Sequence, residues 1–237
     1  MKNLLRKLRY LNERLTLPSK LILLVVIIYL GVQILQMDIL AKGLQILIIL
    51  ISLLFHEIAH GLVAYKLGDN TAKNGGRLSL NPFAHLDFYG TLFPILMILS
   101  GSNLVLGWAK PVPINYYNLK HGRVGEFLVA IAGVFANLLL MILGIYIFKH
   151  LEFYNYYLQF FLMHLILLNA CLIIFNLIPI PPLDGSRILA SLGNNNLRGT
   201  IFSLDRYGIF IIIILSYFQF FDDYLRWGIS NLVQLFS

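Results

Sequence analysis

Apolar residues dominate six stretches of the chain, at about residues 21–37, 44–66, 91–107, 124–148, 157–178 and 207–221, with short polar connections between them. About 20 helical residues cross the hydrocarbon of a bilayer, so each stretch is a candidate span. The pattern predicts an all-α membrane protein, a multi-spanning helical bundle of about five to six apolar segments. The third and sixth fit the template least well. The third holds Pro94, Gly101, Ser102 and Asn103 and runs into Gly107-Trp108-Ala109-Lys110-Pro111-Val112-Pro113. Its prolines oppose helix and favour extended backbone, which predicts a broken or re-entrant segment. Residues 67–90 carry Gly68, Asp69-Asn70, Gly75-Gly76 and Asn81-Pro82, turn chemistry compatible with short strands. After about residue 222 the chain reads as a short interfacial helix.

Composition agrees. Hydrophobic residues make up 59% and charged residues 12%, and the mean hydropathy is +0.78, far from the averages of soluble domains. No polar stretch is long enough for a second folded domain, so residues 1–237 are expected to form one polytopic domain. A formal charge of +7 would suggest nucleic acid as the partner of a soluble protein. Here the basic residues sit between apolar runs, where orientation in a lipid bilayer explains them, and no nucleic-acid partner is expected. Cys171 is the only cysteine, which excludes an intramolecular disulfide and a cysteine-based metal cluster. The first twenty residues are basic, but no small-residue cleavage site clearly follows the first apolar run, which therefore reads as a retained span.

One motif carries chemistry. His56-Glu57-Ile58-Ala59-His60 falls late in the second apolar run, and on a helix its two histidines, four residues apart, share one face and can grip one metal ion. Glu57 stands beside that metal without ligating it, placed to take a proton from a metal-activated water. In a soluble helix the same residues are often unremarkable surface groups. In lipid, a charged side chain at mid-helix costs at least about 2.5 kcal/mol, so function is the default reading. Catalytic zinc usually takes three protein ligands and leaves a fourth position open. The strongest third candidate is Asp184, in Asn176-Leu177-Ile178-Pro179-Ile180-Pro181-Pro182-Leu183-Asp184-Gly185, where three prolines stop the fifth helix and stiffen the approach. The alternative is a plain helix-terminating loop at the membrane surface.

These two motifs and the order of apolar runs resemble the site-2 protease family of intramembrane zinc metalloproteases. The resemblance extends from about residue 44 to 190, the expected catalytic core. It includes Asn81-Pro82-Phe83-Ala84-His85, the Gly107–Pro113 run and Ala132-Gly133-Val134-Phe135-Ala136-Asn137, which are similar to a compact prokaryotic branch. It implies Zn2+ as cofactor, with His56, His60 and Asp184 as ligands. It also implies hydrolysis of peptide bonds in or near the membrane helices of a transmembrane protein substrate, in a prokaryotic cell membrane. Val134-Phe135 departs from the family, which often has proline after the Ala-Gly pair and a local kink there.

If Asp184 and the histidines share one zinc, the C-terminal ends of the second and fifth segments lie on one side of the membrane. The third segment must then return to its starting face. With the N-terminus cytoplasmic, that topology puts fifteen of the eighteen Lys and Arg residues inside and only Lys42, Lys149 and Arg226 outside, as the positive-inside rule requires. Asn137, Asn169 and Asn176 lie in apolar runs, where an unpaired amide is costly and helix-to-helix hydrogen bonding is the simplest explanation. The resemblance adds a possible substrate-backbone or oxyanion role for Asn176. Asn137 and His85 are also candidates for the substrate side or for supporting a ligand, and His164 for a bundle contact. The Lys110–Pro113 stretch offers an extended edge for an unwound substrate. Two rival readings use the same residues: a membrane zinc protease with a glutamate as third ligand, and a metal or solute transporter.

Overall fold

The computed structural model describes residues 16–36, 38–81, 111–151, 155–216 and 219–236. Its helices are α1 (Leu17–Gln36), α2 (Ile39–Lys66), α3 (Thr71–Asn74), α4 (Arg123–His150), α5 (Tyr156–Asn176), α6 (Asp184–Leu192), α7 (Asn195–Leu204), α8 (Gly208–Ser216) and α9 (Gln219–Phe236). No strand occurs among the described residues. The turn-rich stretch after α2, compatible with short strands by sequence, holds α3 and turns over its described part, because Asn and Gly there close local turns without a strand partner. The protein is an all-α integral membrane protein. Among the described residues α2, α4 and α5 are long and apolar enough to cross a bilayer.

Short polar residues set the helix starts. Asp38 accepts the Ala41 N–H at the head of α2, and Asn155 accepts those of Tyr157 and Leu158 at the head of α5, each satisfying donors that the first turn leaves unpaired. α4 runs unbroken through Val134-Phe135, so no helix break stands where the family often has proline.

α4 is the centre, packed against α2, α5 and α6. Its buried stripe Val129, Gly133, Asn137 and Met141 faces the stripe Ser52, His56, His60 and Ala64 of α2, both at four-residue spacing. In lipid, apolar burial gives little transfer gain, and close packing with interhelical hydrogen bonds stabilises such a bundle. The outward faces of the same helices expose Leu62, Phe135, Leu139, Leu143 and Leu167, which suits contact with lipid tails.

Three contacts fix the directions. Asn169 donates to the Ser52 hydroxyl at 2.9 Å, His56 meets Asn137 at 3.1 Å, and His60 meets the Val129 carbonyl at 2.7 Å. α4 therefore runs antiparallel to α2; α5 runs parallel to it, since Asn169 meets Ser52 and the loop after α5 brings Asp184 to His56 and His60. The end of α2 and the start of α4 lie together: Lys120 N–H donates to Leu67 O at 2.8 Å, and the side chains of Leu78 and Val112 both rest on Gly61. The chain between residues 81 and 111 thus begins and ends on one side, as a returning third segment requires. Residues 91–107 themselves lie outside the described residues.

Of the sixth apolar segment, Gly208–Ser216 is helical as α8 and helix resumes at Gln219 as α9; residues 217 and 218 lie outside the described residues. The helix after residue 222 does not lie apart: its Gly228 packs on Ile174 near the end of α5, and Ile229, Leu232 and Val233 join the apolar core of α4 and α5. Arg226, expected on the far side of the membrane, is two residues from that contact and so lies toward the end that carries Asp184.

Candidate metal centre

Late in α2, His56 and His60 turn their rings toward α4 and lie edge to face, centroids 4.7 Å apart. They fit only because residue 133 is glycine. A Cβ there would stand 2.3 Å from His60 Nε2 and 2.5 Å from His56 Cε1, well inside van der Waals contact. The third group arrives from the loop after α5. Prolines 179, 181 and 182 prevent the helix from continuing, and Leu183 N–H bonds back to Ile180 O at 3.0 Å. The turn is tight enough that a Cβ on Gly185 would lie 2.3 Å from Leu177 O. It delivers Asp184, the first residue of α6, over the two rings.

Asp184 Oδ2 lies 3.3 Å from both His56 Nε2 and His60 Nε2, and the two nitrogens are 3.1 Å apart. Three atoms at 2.0–2.1 Å from one tetrahedral ion would stand about 3.3 Å from each other, so the triangle has the right size. Its protons also fit. His60 donates its Nδ1–H to the Val129 carbonyl, which leaves Nε2 a lone pair. Asn137 Nδ2 stands 3.1 Å from His56 Nδ1, while Asn137 Oδ1 is buried without a partner. Exchanging the amide's oxygen and nitrogen would let Oδ1 accept the Nδ1 proton and would leave His56 Nε2 a lone pair as well. Asp184 Oδ2 is buried with no hydrogen-bond donor. Three acceptors converge in a buried site with no proton among them, an arrangement that a cation would complete. Among the described residues this is the group of His, Cys, Asp and Glu side chains able to hold a metal ion.

Glu57, on the neighbouring face of α2, accepts the Val112 backbone N–H on Oε2 at 2.8 Å. Between Pro111 and Pro113, Val112 is the only residue with an N–H, so the expected substrate edge over 111–113 offers carbonyl acceptors alone. Asn137 belongs to the site as the partner of His56. Asn169 makes the bundle contact to Ser52 and bonds its own helix at Leu165 O. Asn176 donates to Leu172 O at 3.0 Å within α5, and His164 bonds Phe160 O in the same helix. His85 lies outside the described residues. The sequence motifs that contain Gly133 and Val112 do not reveal the room that the glycine leaves for the rings or the N–H that holds Glu57, and the Val129 carbonyl, a backbone group, has no sequence signal.

A family model described as peptidase family M50 matches residues 145–215, a stretch that contains Asp184. "Putative zinc metalloprotease YwhC" of Bacillus subtilis (strain 168) is 37% identical over 206 residues, covering 81% of this chain and 90% of that protein. "Putative zinc metalloprotease Rip2" of Mycolicibacterium smegmatis is 27% identical over 183 residues, 73% of this chain and 67% of that protein. No solved structure matches the chain significantly. With a relative so similar over nearly its whole length, the chain belongs to peptidase family M50, the site-2 protease family, and is a zinc-dependent membrane protease.

Proposed function

We propose that the chain hydrolyses peptide bonds within or beside transmembrane segments of other membrane proteins, with His56, His60 and Asp184 holding zinc and Glu57 as general base. The observation that carries this reading is the triangle of Nε2, Nε2 and Oδ2 at 3.1–3.3 Å, set between apolar helices. When bound, zinc supplies a Lewis acid that polarises the scissile carbonyl and makes water acidic enough to be deprotonated near neutrality. The chain's own groups do the rest. Val129 O and Asn137 hold the rings with Nε2 free, Gly133 makes room for them, and the proline turn aims Asp184. Glu57 takes the proton of the attacking water and passes it to the leaving amine.

The site end of the bundle is proposed to face the cytoplasm of a prokaryotic cell, with the N-terminus on that side. Lys66, Lys120, Arg123, Arg187 and Arg198 cluster near this end of the described helices, while Lys42 and Lys149 mark the other, which is the asymmetry of cytoplasmic loops. Glu57→Gln tests the mechanism. It should retain zinc, measured by metal analysis of the purified protein, and lower cleavage of a model transmembrane substrate by about 10²- to 10⁴-fold. Undiminished cleavage would remove Glu57 from the mechanism.

A further inference from the structure

Asp69 lies just beyond α2 and outside the metal triangle, yet it is 0% exposed and its carboxylate collects four hydrogen bonds. Oδ1 accepts Thr71 N–H at 3.1 Å, Thr71 Oγ1–H at 2.5 Å and the Asn118 side-chain amide at 3.1 Å. Oδ2 accepts the Asn115 N–H at 2.8 Å. Two of these donors come from the turn at Asp69 itself. The other two belong to residues 115 and 118, in the segment that leads into α4. Lys120 N–H on Leu67 O reinforces the same join.

At the near end of that segment stands Val112, its side chain 6% exposed against Gly61 and its N–H on Glu57 Oε2. The flanking prolines fix φ and cannot donate, so position 112 alone in the tripeptide can hold the carboxylate. A glutamate has three rotatable bonds, and a base that swings away from its water loses rate steeply. One charge-assisted bond to Oε2 fixes the carboxylate plane and leaves Oε1 to take the proton.

We propose that Asp69 is a positioning residue for Glu57: it ties residues 111–118 to the end of α2 and so holds the Val112 N–H against the base. This rests on the reading of Glu57 as general base. Asp69 touches neither metal nor substrate and acts through the backbone between Asn115 and Val112. Asp69→Asn loses acceptor capacity and sets an amide N–H2 against at least one of the four donors, loosening the anchor. Val112→Pro removes the single N–H while keeping the extended backbone.

The test uses full-length protein in lipid nanodiscs, a model transmembrane substrate, and zinc analysis of every preparation. Asp69→Asn and Val112→Pro should each keep wild-type zinc content, lower kcat by about 10- to 100-fold, and change KM by less than about twofold. The double variant should be no slower than the slower single, because both changes break one chain of contacts. Val112→Ala, which trims the same side chain but keeps the N–H, should retain about tenfold more kcat than Val112→Pro. A loss confined to KM, multiplying effects in the double variant, or equal losses in Val112→Pro and Val112→Ala would each overturn the proposal. Where Asp69→Asn yields no folded protein, the Val112 pair decides alone on the same criteria. Glu57→Gln run in parallel separates the two readings: activity surviving it ends the base assignment, whereas its full loss beside unchanged kcat in Asp69→Asn and Val112→Pro ends only the positioning role.

Discussion

Asp69, fully buried, and Asp184, half-buried with its Oδ2 shielded, are carboxylates at the same end of one bundle, each following the end of a long apolar helix, and their surroundings are opposite. Asp69 is saturated: four N–H and O–H groups point at it, and its charge is compensated without any ion. Asp184 is starved: its Oδ2 has no donor and faces two imidazole nitrogens whose other ring nitrogens are already committed. Burying a carboxylate is costly unless something supplies positive charge or hydrogen bonds. The contrast teaches that donor count, more than burial, separates an anchor from a ligand. A carboxylate complete in itself ties backbone together, and one left short of donors asks for a cation.

The sharpest way to break that contrast is to make the same change in both. Asp184→Asn should leave the purified protein essentially free of zinc, a loss of affinity beyond the about 10- to 100-fold typical of removing a supporting group, with no measurable cleavage. Asp69→Asn should keep its zinc. Equal metal loss in the two variants, read by metal analysis side by side, would erase the distinction between anchor and ligand.

A smaller effect is expected without touching any ligand. Gly133→Ala introduces a methyl group 2.3 Å from His60 Nε2, where carbon and nitrogen need more than an ångström of further separation. The rings must shift, since the backbone of α4 is pinned against α2 and α5. Zinc affinity should fall by about 10- to 100-fold, while circular dichroism still reports a helical protein. Wild-type affinity in Gly133→Ala would mean that the rings sit elsewhere when metal is bound.

These residues also show what the sequence makes legible. The spans at 44–66, 124–148 and 157–178 lie within a few residues of α2, α4 and α5, because long apolar runs in lipid have little choice but helix. His56, His60 and Asp184 are visible from spacing and proline framing, since side-chain chemistry at a fixed helical interval leaves a pattern. Gly133 stands in the Ala132–Asn137 run that carries the resemblance, but nothing in that run says that its missing side chain makes room for two imidazoles. Asp69 looks like turn chemistry beside Gly68, and two of its donors are 46 and 49 positions away. The grips on His60 and Glu57 come from the backbone of Val129 and Val112, which carries no residue-specific signal.

The proposed metal ligands His56 and His60 share a face of α2 with Ser52, one turn away. Ser52 and Asn169 are both 0% exposed and bond to each other across α2 and α5, so they resemble the site in burial and depth but bring no converging lone pairs. Asn169→Leu should cost about 0.6 kcal/mol, and no more than about 1.7, of stability in detergent, and should leave zinc content unchanged. Loss of metal in Asn169→Leu would show that the two layers are coupled through α2.

The smallest predicted effect concerns acid. Burial acts to raise the Asp69 carboxyl, but the bonds from Thr71, Asn115 and Asn118 outweigh it and hold it below its ordinary value of 3.8. The folded state therefore favours the charged form. Stability from this anchor is fully present above the unfolded value, declines as the pH falls below 3.8, and is gone once the pH passes under the lowered folded value. Comparing thermal unfolding of wild type with Asp69→Asn cancels whatever the metal site itself does in acid. The advantage of the wild type should be constant from about pH 7 down to about pH 4 and should shrink below that, because only the aspartate can take up the proton that ends its role. A gap that stays constant into stronger acid would mean that the four bonds hold a neutral group as well as a charged one, and the saturated carboxylate would lose its claim to be an ionic anchor.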